Sequence, residues 1–215
     1  MPLYNSDLEA ELKEYIDGWR EGRDRLRELL KNKSVDTRYE LLMNVRGSSG
    51  INTGRLFKLL GMPAERSTLT GIHSAAIAND VETVRYMLDN FSAYQKYDVV
   101  KIQDSNKYTA LHYAAERGYT SIINYLLSNL SQQQKYDLLK IQDGDGNTAL
   151  HRAAINKKVE TVQAIISSVS SPLQIQLFNI KNKERQTVTD IRPKLHYELR
   201  ALISQGNGDL IIITY

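Results

Sequence analysis

The sequence contains no cysteine among its 215 residues and little excess charge of either sign. A disulfide framework and a cysteine-ligated zinc site are therefore excluded. The 28 basic and 25 acidic residues leave a net charge of +3, without the strong basic excess of a dedicated nucleic-acid or membrane-surface protein. The late apolar run Leu210 to Ile213 is far too short to cross a bilayer, and Asp7 precedes any apolar run at the N-terminus. We expect a soluble, non-secreted, cytoplasmic protein.

What the sequence does contain is a repeat with a constant period. The stretch Thr109 to Ala115 (TALHYAA) returns at Thr148 to Ala154 (TALHRAA), because 148 − 109 = 39. A looser copy lies at Thr70 to Ala76 (TGIHSAA), because 109 − 70 = 39. A fixed period of this size indicates that each unit buries its apolar face by stacking on its neighbours.

Each unit is predicted to hold two antiparallel helices. In the clearest unit Thr109 caps the first helix, and Gly118 ends it in the left-handed conformation. The second helix then presents Ile122, Ile123, Leu126 and Leu127 at helical spacing. At the position of Gly118 the flanking units carry Asn79, which tolerates this conformation, and Lys157, which should be strained unless the turn moves to Asn156.

A second pattern follows the same period. The segments Ser34 to Leu42, Ser92 to Val100 and Ser131 to Leu139 match by residue class, and each predicts a short helix with serine at its N-cap. Ser6 to Glu9 is a capping box, which predicts that an amphipathic helix begins there. We interpret the N-terminal region as the back half of a degenerate first repeat.

The residue patterns argue against a phosphate-binding loop, a calcium site and a catalytic or cofactor-binding centre. The glycine-rich stretch Gly47 to Gly54 lacks the lysine followed by Ser or Thr that a phosphate-binding loop requires. The turn Asp143 to Asn147 (DGDGN) begins like a calcium loop, but neither the following glycine nor the closing glutamate is present. No nucleophile–base pair, carboxylate dyad, metal cluster or cofactor fingerprint is found, so we predict a protein that is not an enzyme and uses no cofactor or metal.

The pattern Thr-Ala-Leu-His-x-Ala-Ala, followed by a glycine, two apolar pairs and an Asp-x-x-Gly-x-Thr turn, resembles the ankyrin repeat. The resemblance covers Glu65 to Lys183 in three repeats, each about six residues longer than the usual unit of about 33. It implies an all-α fold, a solenoid of helix-turn-helix units joined by β-hairpin loops, with helical caps. It also implies that His73, His112 and His151 form hydrogen bonds between repeats, with Thr70, Thr109 and Thr148.

The predicted organisation is an N-terminal capping region with a degenerate repeat at 1–64, three regular repeats at 65–184 and a degenerate capping repeat at 185–215. In the last unit Asp190 replaces the histidine, and Pro193 falls where it would break the first helix. Leu195, Leu199, Leu202 and Ile203 are expected to form a capping helix. The run Leu210 to Tyr215 is β-prone.

The resemblance implies a scaffold that binds a partner protein through the hairpin tips and the concave face of the first helices. Tyr108, Tyr113, Arg117 and Arg152 are the strongest hot-spot candidates, since aromatic and arginine side chains dominate interface energies. The chain is expected to be monomeric, without nucleic acid or membrane insertion; the alternative is a regulatory ankyrin arm of a larger enzyme, channel or effector that continues after Tyr215. The predicted partner-binding residues are Arg66, Leu69, Ile77, Gln103, Ser105, Asn106, Tyr108, Tyr113, Glu116, Arg117, Gln142, Asp145, Asn147 and Arg152.

Overall fold

The computed structural model describes residues 34–36, 71–195 and 197. Within these residues the chain is helical and contains no strand, as the ankyrin resemblance implied. Val35 and Asp36 are helical directly after Ser34. The predicted N-terminal helix, the glycine-rich loop and the Leu210 to Tyr215 run lie outside the described residues.

The chain divides into two compact units, Met1–Phe91 and Ser92–Tyr215. In the first, helices α1 (Gly71–Ile77) and α2 (Val81–Leu88) pack against each other. Asn79 connects them with a φ of 54°, as predicted, and the Asp80 carboxylate caps α2 by accepting from the Thr83 amide at 2.9 Å. The sequence-based boundaries at 64/65 and 184/185 stay predictions.

The second unit contains eight helices within its described residues, Ser92 to Leu195 and Tyr197. Each full repeat holds three helices, because the added helix follows the predicted helix pair. The eight are α3 (Ala93–Val100), α4 (Ala110–Arg117), α5 (Thr120–Leu127), α6 (Gln132–Leu139), α7 (Ala149–Ile155), α8 (Val159–Ser167), α9 (Ser171–Phe178) and α10 (Val188–Ile191). None of the helices in residues 71–195 has the length and apolar character needed to span a bilayer.

The helices of the second unit stack in three layers. First helices pack side by side, α4 on α7 and α7 on α10, and second helices do the same, α5 on α8. The third helices form their own layer, α3 on α6 and α6 on α9. Fully buried alanines such as Ala114 and Ala153 allow the first helices to approach closely, and aliphatic side chains such as Ile122 and Ile165 fill the core.

The predicted serine caps of the added helices are confirmed. Ser92 and Gln95 form a reciprocal capping box at the start of α3, and Ser131 and Gln134 do so at α6. The residue-class comparison missed the next copy, α9, which begins after Ser170, one repeat period beyond Ser131. Its sequence SPLQIQLF lacks the Tyr-Asp pair of the other copies, and its proline lies in the first turn, where a helix tolerates it.

The first helix of the last repeat is interrupted before Pro193, as predicted. Helix α10 has only four residues and stops before Pro193. Asp190 takes over the position of the histidine, since its Oδ2 accepts from the Thr187 amide at 2.8 Å and from the Thr187 hydroxyl at 2.7 Å. Leu195 is buried, whereas the other three residues of the predicted capping helix lie outside the described residues.

The loops that connect successive repeats within the second unit are hairpins, and neighbouring hairpins form hydrogen bonds with each other. Within a hairpin the Asp104 amide donates to the Tyr108 carbonyl, and the Asp143 amide to the Asn147 carbonyl, both at 2.8 Å. Between neighbouring hairpins the Gly144 amide donates to the Asn106 carbonyl at 2.8 Å. A Cβ at Gly144 would lie 3.0 Å from that carbonyl oxygen, so the close approach favours glycine.

The turn at Lys157 yields a stability prediction. Asn156 has a φ of −90° and Lys157 a φ of 60°, so the turn does not move to Asn156 and Lys157 takes the left-handed conformation. Because that conformation costs an L-residue about 1–2 kcal/mol, Lys157→Gly is expected to melt about 3 °C above Lys157→Ala. Both variants remove the same side chain. Equal melting temperatures in thermal unfolding would show that the backbone there is unstrained.

Candidate protein-binding surface

In helices α4 and α7 a buried histidine joins the first helix to the hairpin of the following repeat. Nδ1 of His112 accepts from the Thr109 amide at 3.1 Å and lies 2.8 Å from the Thr109 hydroxyl oxygen. Its Nε2 lies 3.1 Å from the Asn147 carbonyl oxygen. A carbonyl accepts only, so the network assigns a neutral ring protonated at Nε2.

The same junction recurs one repeat later. His151 Nδ1 lies 2.8 Å from the Thr148 hydroxyl, and its Nε2 lies 3.3 Å from the Gln186 carbonyl oxygen. The role that the resemblance implied is confirmed for these two histidines; His73 is fully buried. Burial lowers the pKa of His112 to about 4 against the opposing effect of the Asp143 carboxylate. No group of side chains suited to a metal ion occurs within the described ranges.

Two buried hairpin carboxylates hold the side chains that face outward from the first helices. Asp104 Oδ1 accepts from the Asn106 and Tyr108 amides at 2.8 Å each, which fixes the hairpin. Its Oδ2 accepts from the Tyr113 hydroxyl at 2.6 Å. The aspartate therefore sets both the loop conformation and the direction of the tyrosine.

Asp143 occupies the same position in the next repeat and holds an arginine instead. Its Oδ1 accepts from the Asp145 and Asn147 amides at 2.8 and 3.0 Å. Its Oδ2 accepts from Arg152 Nε at 2.6 Å, and Arg152 Nη2 reaches Asp145 Oδ2 at 2.7 Å. This double ion pair leaves only 15% of the Arg152 side chain exposed.

Tyr108 lies between these two groups. Its ring centroid is 4.9 Å from that of Tyr113, and Arg152 Cζ lies 4.9 Å from the Tyr108 ring centroid. Burial, followed by the nearby Glu116 carboxylate, raises the pKa of Tyr108 well above its usual value. The structure thus brings three of the four predicted hot-spot residues, Tyr108, Tyr113 and Arg152, into one contiguous cluster.

Two predicted surface residues, Gln103 and Gln142, connect neighbouring hairpins. Gln103 Nε2 donates to the Lys107 carbonyl in its own hairpin and to the Gln142 carbonyl in the next, at 2.6 and 3.1 Å. Gln142 Nε2 repeats this with the Gly146 and Lys181 carbonyls. Both side chains remain exposed but already have hydrogen-bond partners.

The remaining predicted positions fall into three groups. Ile77 and Asn147 are buried, so the expectation that they are exposed is wrong: Ile77 belongs to the core, and the Asn147 side chain accepts from Asn182 at 3.1 Å. Ser105, Asn106 and Asp145 are exposed at the hairpin tips, and Glu116 and Arg117 are half-buried at the end of α4. Arg66 and Leu69 lie outside the described residues.

One exposed apolar residue on this side was missed. Ile155 at the end of α7 is 42% exposed, and it follows Glu116 by one repeat period. The repeat period places Ile155 at the position equivalent to Glu116. Because one repeat carries a charged residue there and the next an apolar one, the equivalence was overlooked. Glu116 and Ile155 thus occupy equivalent positions on α4 and α7.

The buried imidazole predicts a pH dependence of stability. The folded pKa of His112 is about 4 against 6.5 for the free side chain, so the unfolded chain binds more protons between these values. The buried neutral imidazole therefore contributes its full stabilisation above the unfolded pKa, and this stabilisation declines as the pH falls toward the folded pKa. Urea unfolding measures the free energy of unfolding at each pH. Between about pH 7.5 and about pH 5 this free energy should fall by about 2 kcal/mol less in His112→Gln than in the wild type. Parallel pH profiles would contradict this assignment.

Comparison with known proteins identifies a matching family model and a similar solved structure. A sequence model of ankyrin repeats matches residues 47–137 and 96–178, with three copies. A solved structure of the yeast ribosomal protein Rps3 in complex with its chaperone Yar1 contains a similar chain, 20% identical, with a TM-score of 0.48, over 65% of this chain and 93% of that one. No curated protein sequence matches. Because the family match spans more than half of the sequence, the chain belongs to the ankyrin repeat family.

Proposed function

We propose that this protein is an interaction scaffold that binds a partner protein through the hairpin tips and the exposed side of the first helices of its second unit. Ankyrin repeats are protein-interaction modules, and the chain has three copies. The observation that carries the proposal is the cluster of Tyr108, Tyr113 and Arg152. In this cluster Asp104 accepts a hydrogen bond from Tyr113, and Asp143 accepts one from Arg152. No partner is identified by name.

The proposed surface, called here the hairpin face, combines polar loop residues with an aromatic and an aliphatic element. Aromatic and arginine residues account for most binding energy in protein interfaces, surrounded by contacts that exclude water. The composition of this face is of that kind. It consists of Ser105, Asn106, Tyr108, Tyr113, Glu116, Arg117, Asp145, Arg152 and Ile155.

The hydrogen bonds beneath this face favour binding by lowering its entropic cost. A side chain that is immobilised only on binding costs about 0.5–1.5 kcal/mol. Tyr113 and Arg152 are already held by carboxylates at 2.6 Å, so most of this cost falls on folding instead. With 15% of its side chain exposed, Arg152 acts mainly by orienting Tyr108 and Asp145.

We further propose a non-catalytic protein of the cytoplasm. Two features of the chain support this location and role. The complete lack of cysteine fits a reducing compartment, where disulfides are rare. The hydrogen bonds of Tyr113 and Arg152 with the hairpin carboxylates join the first helices to the loops, which is a structural role.

Two isoleucines of nearly equal exposure allow a matched test. Ile155 on the hairpin face is 42% exposed and Ile175 on α9 is 41% exposed. Ile155→Asp should abolish capture of the partner from a cell lysate, because it places a charge in the apolar part of the interface. Ile175→Asp should leave capture unchanged. Quantitative mass spectrometry of proteins captured on each variant measures the difference.

A second variant, Arg117→Glu, reverses one charge at the rim of the hairpin face. It should weaken capture by about 10-fold or less, since a rim charge contributes less than a buried contact. Circular dichroism melting of each variant controls for folding. If Ile155→Asp and Arg117→Glu retain every captured protein while remaining folded, binding does not use this face.

A further inference from the structure

The added third helices carry a periodic side chain that the proposed interaction does not use. The fourth residue of each helix is Lys96 in α3, Lys135 in α6 and Gln174 in α9, spaced one repeat period apart. A lysine is seldom buried unless its charge has partners. Lys96 is nevertheless only 4% exposed.

The Lys96 ammonium group reaches the C-terminal end of α5, the second helix of the following repeat. Its Nζ donates to the Tyr125 carbonyl at 2.6 Å, to the Ser128 carbonyl at 3.0 Å and lies 2.8 Å from the Ser128 hydroxyl. It also lies 4.4 Å from the centroid of the Tyr125 ring. An ammonium group has three donors, and three oxygen atoms surround this one.

These contacts satisfy two needs at once. The last carbonyl groups of a helix have no partner within the helix, and the negative end of its dipole favours a cation. The buried ammonium group in turn requires acceptors, because an unpaired charge in the interior is costly. The Tyr125 carbonyl already accepts from the Ser128 amide and hydroxyl. Lys96 therefore adds a charged donor to that carbonyl and supplies a donor to the Ser128 carbonyl across the repeat boundary.

Lys135 makes the corresponding contact one repeat later, in a weaker form. Its Nζ donates to the Ser168 carbonyl beyond α8 at 3.2 Å. After α5, Asn129 turns the chain with a φ of 59°. Its counterpart in the next repeat, Ser168, keeps a φ of −75°, and α8 runs one residue longer than α5. The extra residue changes which carbonyl groups meet the lysine.

Gln174 occupies the equivalent position in α9 and carries no charge. Its Nε2 donates to the Val169 carbonyl at 3.0 Å, within its own repeat. The side chain is 6% exposed, and its Oε1 has no hydrogen-bond partner in the described part of the chain. Within the described residues the hydrogen bond of this side chain therefore goes to the preceding residues of its own repeat.

We propose that the added third helix is a coupling strap, in which a buried lysine closes the end of the second helix in the next repeat so that the two repeats unfold together. The strap and the histidine junction contact different parts of a following repeat, since Lys96 reaches the end of a second helix and His112 reaches a hairpin. Coupling is strongest across the α3–α5 boundary and weaker across α6–α8.

The test replaces each ammonium group by a thioether of similar length. Lys96→Met should lower the melting temperature by about 6–10 °C and Lys135→Met by about 2–4 °C. Lys101→Met is the control: it directly follows the same helix, and its ammonium, on a side chain that is 31% exposed, pairs with the buried Asp98, so a smaller change of about 2–4 °C is expected. Hydrogen exchange in Lys96→Met should accelerate at least about 10-fold in both α3 and the last turn of α5, and remain unchanged in α8.

A second variant covers the case in which Lys96→Met does not fold. Ser128→Ala removes one of the three acceptors together with the bond from the Ser128 hydroxyl to the Tyr125 carbonyl, and it is expected to lower the melting temperature by about 2–4 °C. The proposal is overturned if Lys96→Met melts with or above the Lys101→Met control, as happens when a buried charge contributes no net stability. It is also overturned if exchange accelerates in α3 alone, or if Ser128→Ala melts like the wild type.

Discussion

Two junctions between repeats of the second unit depend on the same buried hydrogen-bonded group, the neutral imidazole of His112 at the start of α4 and of His151 at the start of α7. It accepts from the capping threonine and donates to a carbonyl 35 residues further along, at Asn147 from His112 and at Gln186 from His151. A neutral ring with one donor and one acceptor nitrogen fits this position, whereas a charged ring would have two donors and no acceptor. The position of each hairpin follows from that choice of tautomer.

The hairpin carboxylates connect this scaffold to the surface. Asp104 and Asp143 accept amide hydrogen bonds in the same way, but each has one oxygen atom left for a side chain of the first helix. In one repeat a tyrosine uses it, and in the next an arginine does. The scaffold is thus kept constant while the exposed chemistry changes, which is how a repeat array acquires a specific surface.

The sequence predicted much of this fold and less of its surface. The repeat period located the helix pairs, the caps at Ser92 and Ser131 and the interruption before Pro193, because capping, helical spacing and proline act locally. It did not reveal that Asn147 is buried or that Lys96 binds the end of α5. Those facts depend on groups 29 to 35 residues away, and no local pattern encodes a contact at that distance.

The same limit applies to α9 and to Arg152. Helix α9 keeps the position of its relatives and a serine before its first residue, but Ser170 makes no side-chain cap hydrogen bond and the other side chains differ, so similarity of residue class did not identify it. Arg152 was recognised as an interface type of residue, whereas its two ion pairs turn it chiefly into a support for its neighbours. Residue type suggests the chemistry of a surface, and burial decides how much of it a partner meets.

The third boundary of the second unit shows what holds the others together. Between the described repeats three charged or ionisable junction residues change there at once: the histidine becomes Asp190, the hairpin aspartate becomes Asn182 and the strap lysine becomes Gln174. Asp190 still caps its helix, and Asn182 still accepts from the Gln186 amide at 2.9 Å. The contacts within the last repeat therefore persist, and in the part of the chain that the structure describes the Asp190 and Gln174 side chains form hydrogen bonds only within their own repeats. A residue that caps its own helix needs only the right acceptor, but one that joins two repeats must also match a partner in the next unit.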